Sequence, residues 1–151
     1  MTSELTSLYQ EVILDHNKRP RNFHKLESAN HHADGYNPLC GDKVTVYLDV
    51  QGDIVRNISF EGSGCAISKA SASMMTEGLK GRTLAQVEEL FQRFHDLVTG
   101  RPENPANPAD LGKLVVFSGV REFPVRVKCA TLAWHTLRAA MENRQQPAST
   151  E

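Results

Sequence analysis

Three cysteines and one aspartate are the residues of this chain best suited to hold a metal. Cys40 opens Cys40-Gly41-Asp42 after the turn-forming pair Asn37-Pro38. Cys65 follows Gly62-Ser63-Gly64, and Cys129 lies in Arg126-Val127-Lys128-Cys129-Ala130. Three thiols and a carboxylate make four ligands, the number a closed tetrahedral zinc site uses. Residues i and i+2 of an extended or turning segment can point to one side, and Gly41 lets the backbone bend between Cys40 and Asp42. Cys65 begins an expected helix, where free N–H groups and the positive end of the dipole stabilise a thiolate. Cys129 falls on the apolar side of a last helix, with Arg126 and Lys128 adding positive charge nearby, and cations lower thiol pKa. The bland alternative is three small buried hydrophobes and a turn-forming aspartate. The cysteine spacings match no short zinc-finger pattern, so a metal site here has to be assembled by the fold.

The positioning framework follows from composition and pattern. The 151 residues suit one domain, 1–151, with a polar tail from about residue 144. An apolar fraction of 40% and a charged fraction of 23% are those of a globular protein in water. A net charge of −1 gives no electrostatic case for nucleic acid or an anionic membrane. Met1-Thr2-Ser3-Glu4 shows no signal-peptide pattern, and no run approaches the roughly 18 apolar residues of a membrane span. An odd number of cysteines without a secretion signal points to reduced thiols and a cytoplasmic location.

Leu5 to about Lys18 reads as a helix with Leu8, Val12, Ile13 and Leu14 as its apolar stripe, ended by Pro20. Residues 24–36 read as irregular, with a short strand at their end. Lys43 to Val50 alternates as a half-buried strand, Gln51-Gly52-Asp53 turns, and Ile54 to Glu61 returns as its antiparallel partner. A helix is expected from Cys65 or Ala66 to about Lys80, with Gly81 past its end. Thr83 and Gln86 form a capping-box pattern before a helix carrying Leu84, Val87, Leu90, Phe91, Phe94, Leu97 and Val98, stopped by Gly100. Residues 101–110 hold three prolines and read as a loop. Leu111 to Phe117 suggests a helical turn or two. Pro124 suits the start of a last helix, to about Asn143, with Val125, Cys129, Leu132, Thr136, Leu137 and Ala140 on one side. The tail from Arg144 is expected to fray. The order gives an α+β domain: a small antiparallel sheet of about three strands with helices packed on one face. His31-His32 is expected at the surface, the other histidines as surface or structural residues, and Trp134 and Met74-Met75 in the core.

Several short motifs occur together in this order: Leu8-Tyr9-Gln10-Glu11-Val12-Ile13-Leu14-Asp15-His16, Pro20-Arg21-Asn22, Asn37-Pro38-Leu39-Cys40-Gly41-Asp42, Gly62-Ser63-Gly64-Cys65-Ala66-Ile67-Ser68 and Cys129-Ala130-Thr131-Leu132-Ala133-Trp134. Together they resemble the SufU/IscU family of iron–sulfur cluster assembly proteins, with a NifU N-terminal-like, SufE/NifU-like fold, over nearly the whole chain. In IscU-type scaffolds a histidine usually precedes the last cysteine, whereas Lys128 does so here. The stretch between Cys65 and Cys129 is also longer than in those scaffolds. Both features resemble the SufU branch.

That resemblance implies a zinc-dependent sulfurtransferase, with Cys40, Asp42, Cys65 and Cys129 as the metal ligands. It implies Cys40 as the nucleophile that accepts persulfide sulfur from a PLP-dependent, SufS-like cysteine desulfurase. The sulfur would pass to a downstream cluster-assembly scaffold. Arg126 is expected near the site, orienting a sulfur intermediate or a partner's carboxylate. Two other readings stay open: a scaffold for [2Fe–2S] cluster assembly, on which the same thiolates bind iron, and a binding module whose zinc is purely structural.

Overall fold

The computed structural model describes residues 3–38, 40–99, 112–142 and 148–149. The chain opens with α1 (Ser3–Lys18), followed by strands β1 (His31–Asn37), β2 (Asp42–Gln51) and β3 (Ile54–Ser63). Helices α2 (Ala66–Leu79) and α3 (Leu84–Thr99) come next. A 3-10 helix (Gly112–Glu122), a last helix α4 (Pro124–Met141) and a two-residue strand β4 (Ala148–Ser149) complete the order. β1, β2 and β3 form an antiparallel sheet in spatial order β3-β2-β1, and β4 pairs parallel to β1 at its edge.

Each expected element forms, with differences at the margins that have physical causes. β2 starts one residue earlier than its apolar alternation suggests. Its period of two puts Asp42 on the buried face with Val44, Val46 and Leu48. β1 alternates likewise: Ala33, Gly35 and Asn37 face inward and His32, Asp34 and Tyr36 outward. Gly35 is required where α4 crosses the sheet, because a Cβ there would overlap the Thr136 hydroxyl. The capping box forms as a reciprocal pair. The Gln86 amide N–H donates to Thr83 Oγ1 at 3.1 Å, and the Thr83 N–H donates to Gln86 Oε1 at 3.0 Å.

The 3-10 helix is longer than the expected turn or two. Its buried Leu114, Phe117 and Val120 recur every third residue, the period of that helix. Val125 is 52% exposed instead of joining the buried side of α4, because the first turn of that helix extends past the core. Leu14 is likewise 50% exposed, leaving Val12 and Ile13 to pack α1 on the core. The side chain of Leu8, Gly100, the proline-rich loop 101–110, Leu111 and residues 143–147 lie outside the described residues. Within the tail expected to fray, Ala148 and Ser149 pair with Gly35 and Tyr36 of β1.

The core lies between the sheet and the helices. Trp134, Phe60, Phe94, Phe117, Leu48 and Ile58 are its largest fully buried side chains, and Met74 and Met75 are also buried. α2 is buried on almost every side. Its Ala70, Ser71, Ala72 and Ser73 are small enough to let α1, β3 and α4 approach it. The Trp134 indole N–H donates to Ser71 Oγ at 3.1 Å, and that hydroxyl donates to the Ala130 carbonyl at 2.5 Å. His16, expected as a surface or partly buried structural residue, is fully buried. Its Nδ1 lies 2.8 Å from Ser73 Oγ, which also accepts the Arg21 N–H. No helix among the described residues is long and apolar enough to cross a membrane.

Candidate metal centre

Three separate parts of the chain bring the sulfur and carboxylate groups to one end of the sheet. The first is the turn between β1 and β2. The N–H groups of Cys40 and Gly41 both donate to the Asn37 carbonyl, at 3.3 and 2.8 Å. Gly41 sits at φ +71°, which a glycine adopts freely. Asn37 and Asp42 face each other across the ladder with both side chains fully buried, so the turn lifts Cys40 outward while its two ends point in. Cys40 is accordingly exposed.

The second part is the β3–α2 junction. Cys65 caps α2, its sulfur accepting the Ser68 N–H at 3.4 Å. The Cys65 N–H donates to Asp42 Oδ1 at 2.8 Å, and the Cys65 thiol lies 3.8 Å from Asp42 Oδ2. Gly64, at φ +154°, packs against this carboxylate so closely that a Cβ would overlap Asp42 Oδ1. The third part is the start of α4, which carries Cys129, only 2% exposed. Cys129 Sγ lies 3.3 Å from Cys40 Sγ and receives the side-chain N–H of Asn37 at 3.9 Å.

Ligand atoms of Cys40, Asp42 and Cys129 all lie within 4.8 Å of one another. Cys65 adjoins that trio through its contact with Asp42 and interacts with Cys129 as well. The donor chemistry fits a tetrahedral thiolate–carboxylate site for a thiophilic cation. Burial gives a second argument. Asp42 is fully buried, and no lysine or arginine forms an ion pair with it among the described residues. A buried carboxylate is costly unless a cation or several donors compensate it. Burial first, then hydrogen bonding with Cys40, pushes the Cys129 thiol well above its ordinary pKa, so a cation has to displace its proton.

Arg126 lies three residues before Cys129 on α4, but it is exposed and its guanidinium packs over the Phe123 ring at 5.1 Å. It makes no described hydrogen bond to the four candidate ligands. Sequence reasoning took Asn37 only as a turn former, yet it reaches the Cys129 sulfur. No local pattern signalled this contact; the β1–β2 register, which only the fold sets, places it opposite Asp42. Gly64, which precedes the cap of α2, has a further role: its missing side chain makes room for the carboxylate.

Comparison with known proteins places this geometry in context. Residues 8–130 match the NifU-like N terminal domain family. The chain is 39% identical over 143 residues to the zinc-dependent sulfurtransferase SufU of Bacillus subtilis, covering 95% of each chain. It is also 39% identical over 140 residues to the iron–sulfur cluster assembly scaffold protein IscU of Streptococcus pyogenes serotype M1, covering 93% of this chain and 86% of that one. Among solved structures it resembles FiSufU, a SUF-system iron–sulfur cluster assembly scaffold protein from Fervidobacterium islandicum. That match has a TM-score of 0.82 at 35% identity, over 93% of this chain and 99% of the other.

Proposed function

The chain belongs to the NifU-like N-terminal domain family of iron–sulfur cluster assembly proteins, and on that premise we propose that it is a zinc-dependent sulfurtransferase. Cys40 would accept persulfide sulfur from a PLP-dependent cysteine desulfurase and pass it to a downstream cluster-assembly scaffold. The observation that carries this reading is the contrast within the donor set. Asp42 and Cys129 are buried and Cys65 half-buried, while Cys40 alone is exposed on a glycine-bent turn. Cys40, Asp42, Cys65 and Cys129 would hold the metal. Zinc, when bound, keeps thiols deprotonated and contributes its binding energy to folding.

The chain's own residues account for the transfer. Asp42, Cys65 and Cys129 are anchored by a strand, a helix cap and a helix, so Cys40 is the sulfur that can move with least disturbance. Its thiolate attacks the outer sulfur of a cysteine persulfide on the donor enzyme. A bond forms between Cys40 Sγ and that sulfur, the donor's S–S bond breaks, and the donor cysteine leaves as a thiolate. Arg126, exposed one turn before Cys129, is available to the anionic persulfide or to an acidic group of the donor.

A second reading has its own support, since the Streptococcus pyogenes relative is named a cluster assembly scaffold. Thiolates suit iron as well as zinc. Lys128 stands against a [2Fe–2S] scaffold of the IscU type, because a protonated lysine is no ligand. A purely structural zinc is the third reading, and it predicts no sulfur on Cys40. Elemental mass spectrometry and an absorption spectrum on one purified sample separate the first two. About one zinc per chain without visible bands supports the transferase; iron with sulfide-to-iron bands supports the scaffold. Incubation with a cysteine desulfurase and cysteine should then add one sulfur atom to Cys40, and an unmodified Cys40 would overturn the transferase reading.

A further inference from the structure

Cys129 is more than a candidate ligand by position, because its sulfur faces Cys40 across 3.3 Å with nothing between them. That separation is a near-attack distance. A disulfide bond is about 2.0 Å long, so the two sulfurs need to close by only about 1 Å. The turn carrying Cys40 can supply this movement: beyond its two chain neighbours, Gly41 has no atom of the described residues within 4 Å of where a Cβ would stand. Cys65 also interacts with Cys129, but its sulfur is held by the Ser68 N–H and Asp42 at a helix cap, whereas Cys40 sits on a turn.

Resting on the reading of Cys40 as a persulfide carrier, we propose that Cys129 is a resolving thiol that cleaves this persulfide and releases sulfide. The relative burial of the two sulfurs decides the direction of attack. Cys40 is exposed, so a sulfur added to it has open solvent to occupy, whereas Cys129 is buried and faces Cys40 Sγ itself. Cys129 therefore attacks the inner sulfur of the persulfide rather than the outer one. The bond between Cys40 Sγ and the outer sulfur breaks, a Cys40–Cys129 disulfide forms, and the outer sulfur departs with the electron pair. The persulfide anion takes the proton of the Cys129 thiol, which creates the attacking thiolate and makes the outer sulfur leave as HS⁻. The two protein sulfurs are oxidised together by two electrons and the outer sulfur is reduced to sulfide, so no external reductant enters this step.

Two consequences follow from the positions. Both sulfurs belong to the proposed ligand set, so a chain holding this disulfide cannot use them as thiolate ligands. Cys40 is the accessible end of the disulfide, so a dithiol reductant would attack there to reset the pair. The fold would thus choose between handing sulfur on intact and releasing it as sulfide, according to whether an acceptor reaches Cys40 before Cys129 does.

The test loads full-length protein in two ways, from a cysteine desulfurase with cysteine and from inorganic polysulfide, then removes the donor and adds no thiol. Released sulfide is measured against time, and the protein is mapped by non-reducing peptide mass spectrometry. The expected result is about one sulfide per loaded chain, in step with a Cys40–Cys129 cross-link. Cys129→Ser should keep the extra sulfur on Cys40 and lower sulfide release at least about tenfold. Cys65→Ser, which also removes a candidate ligand, should still release sulfide, separating resolution from damage to the site. A stable wild-type persulfide, a Cys40–Cys65 cross-link, or equal release from Cys129→Ser would overturn the proposal. Loading from polysulfide but not from the desulfurase, followed by release and cross-linking, would support the resolving step and instead fault the sulfur-acceptor reading.

Discussion

Replacing Gly64 by alanine tests whether the β3–α2 junction is built around the Asp42 carboxylate. Gly64 stands at φ +154°, a backbone region that an L side chain enters at a cost of about 1–3 kcal/mol. Its added Cβ would also overlap Asp42 Oδ1, the oxygen that accepts the Cys65 N–H. Displacing the carboxylate forfeits that charge-assisted hydrogen bond, about 1.5–3 kcal/mol. The sum, about 2.5–6 kcal/mol, is a large share of a typical stability of about 5–15 kcal/mol. Gly52→Ala is the matched control: it has φ +64° but, beyond its chain neighbours, nothing among the described residues within 4 Å of the new Cβ, so only about 1–2 kcal/mol of backbone strain applies. Urea unfolding of metal-free protein should rank the two variants in that order, and metal content should fall in Gly64→Ala but not in Gly52→Ala. In an Asp42→Ala background the overlap with the carboxylate is gone. Gly64→Ala should then lose about 1.5–3 kcal/mol of its effect, measured as a double-mutant coupling. Equal costs for the two glycine variants, or no coupling to Asp42, would refute the argument that Gly64 exists to admit the carboxylate.

Four further outcomes are expected. Asp42→Ala should weaken zinc binding and admit more iron, checked by elemental analysis after competitive loading; unchanged zinc affinity would remove Asp42 from the ligand set. Arg126→Ala should lower sulfur transfer to Cys40 several-fold while leaving zinc content near that of the parent, checked by persulfide mass spectrometry beside metal analysis. Metal-free protein should lose stability as the pH rises above the ordinary thiol value of 9.0, because burial and Cys40 raise the Cys129 pKa only in the folded state. The raised pKa gives stabilisation that is complete below that value and lost above it, so Cys129→Ala should flatten the fall in urea midpoint. His135 has its pKa lowered from 6.5 by burial, then by His95 and Arg138. Its contribution is present above that value and lost as pH falls, so His135→Phe should flatten the decline in stability between about pH 7 and pH 5.

The elements legible in the chain were those governed by local rules. Alternation in β2, the Thr83–Gln86 box, Pro124 at a helix start and Gly81 at φ +86° each encode a conformation within a few residues. The exposed face of Leu14 and Val125, the length of the 3-10 helix and the return of Ala148-Ser149 to β1 depend on what lies alongside, which no local pattern contains. Cys65 was legible as a helix start because capping is a local interaction.

The sequence by itself determined the donor types, the α+β class and the glycine that bends the turn beside Cys40. Only the tertiary structure decided that Cys129, 89 residues beyond Cys40, lies 3.3 Å from it. The same holds for the pleat of β2, which turns Asp42 inward to meet the capping N–H of Cys65. The physical reason is that ligand identity is a property of side chains, whereas their convergence comes from packing α4 across β1 and β2 at Gly35. That contact is non-local, and no spacing along the chain records it.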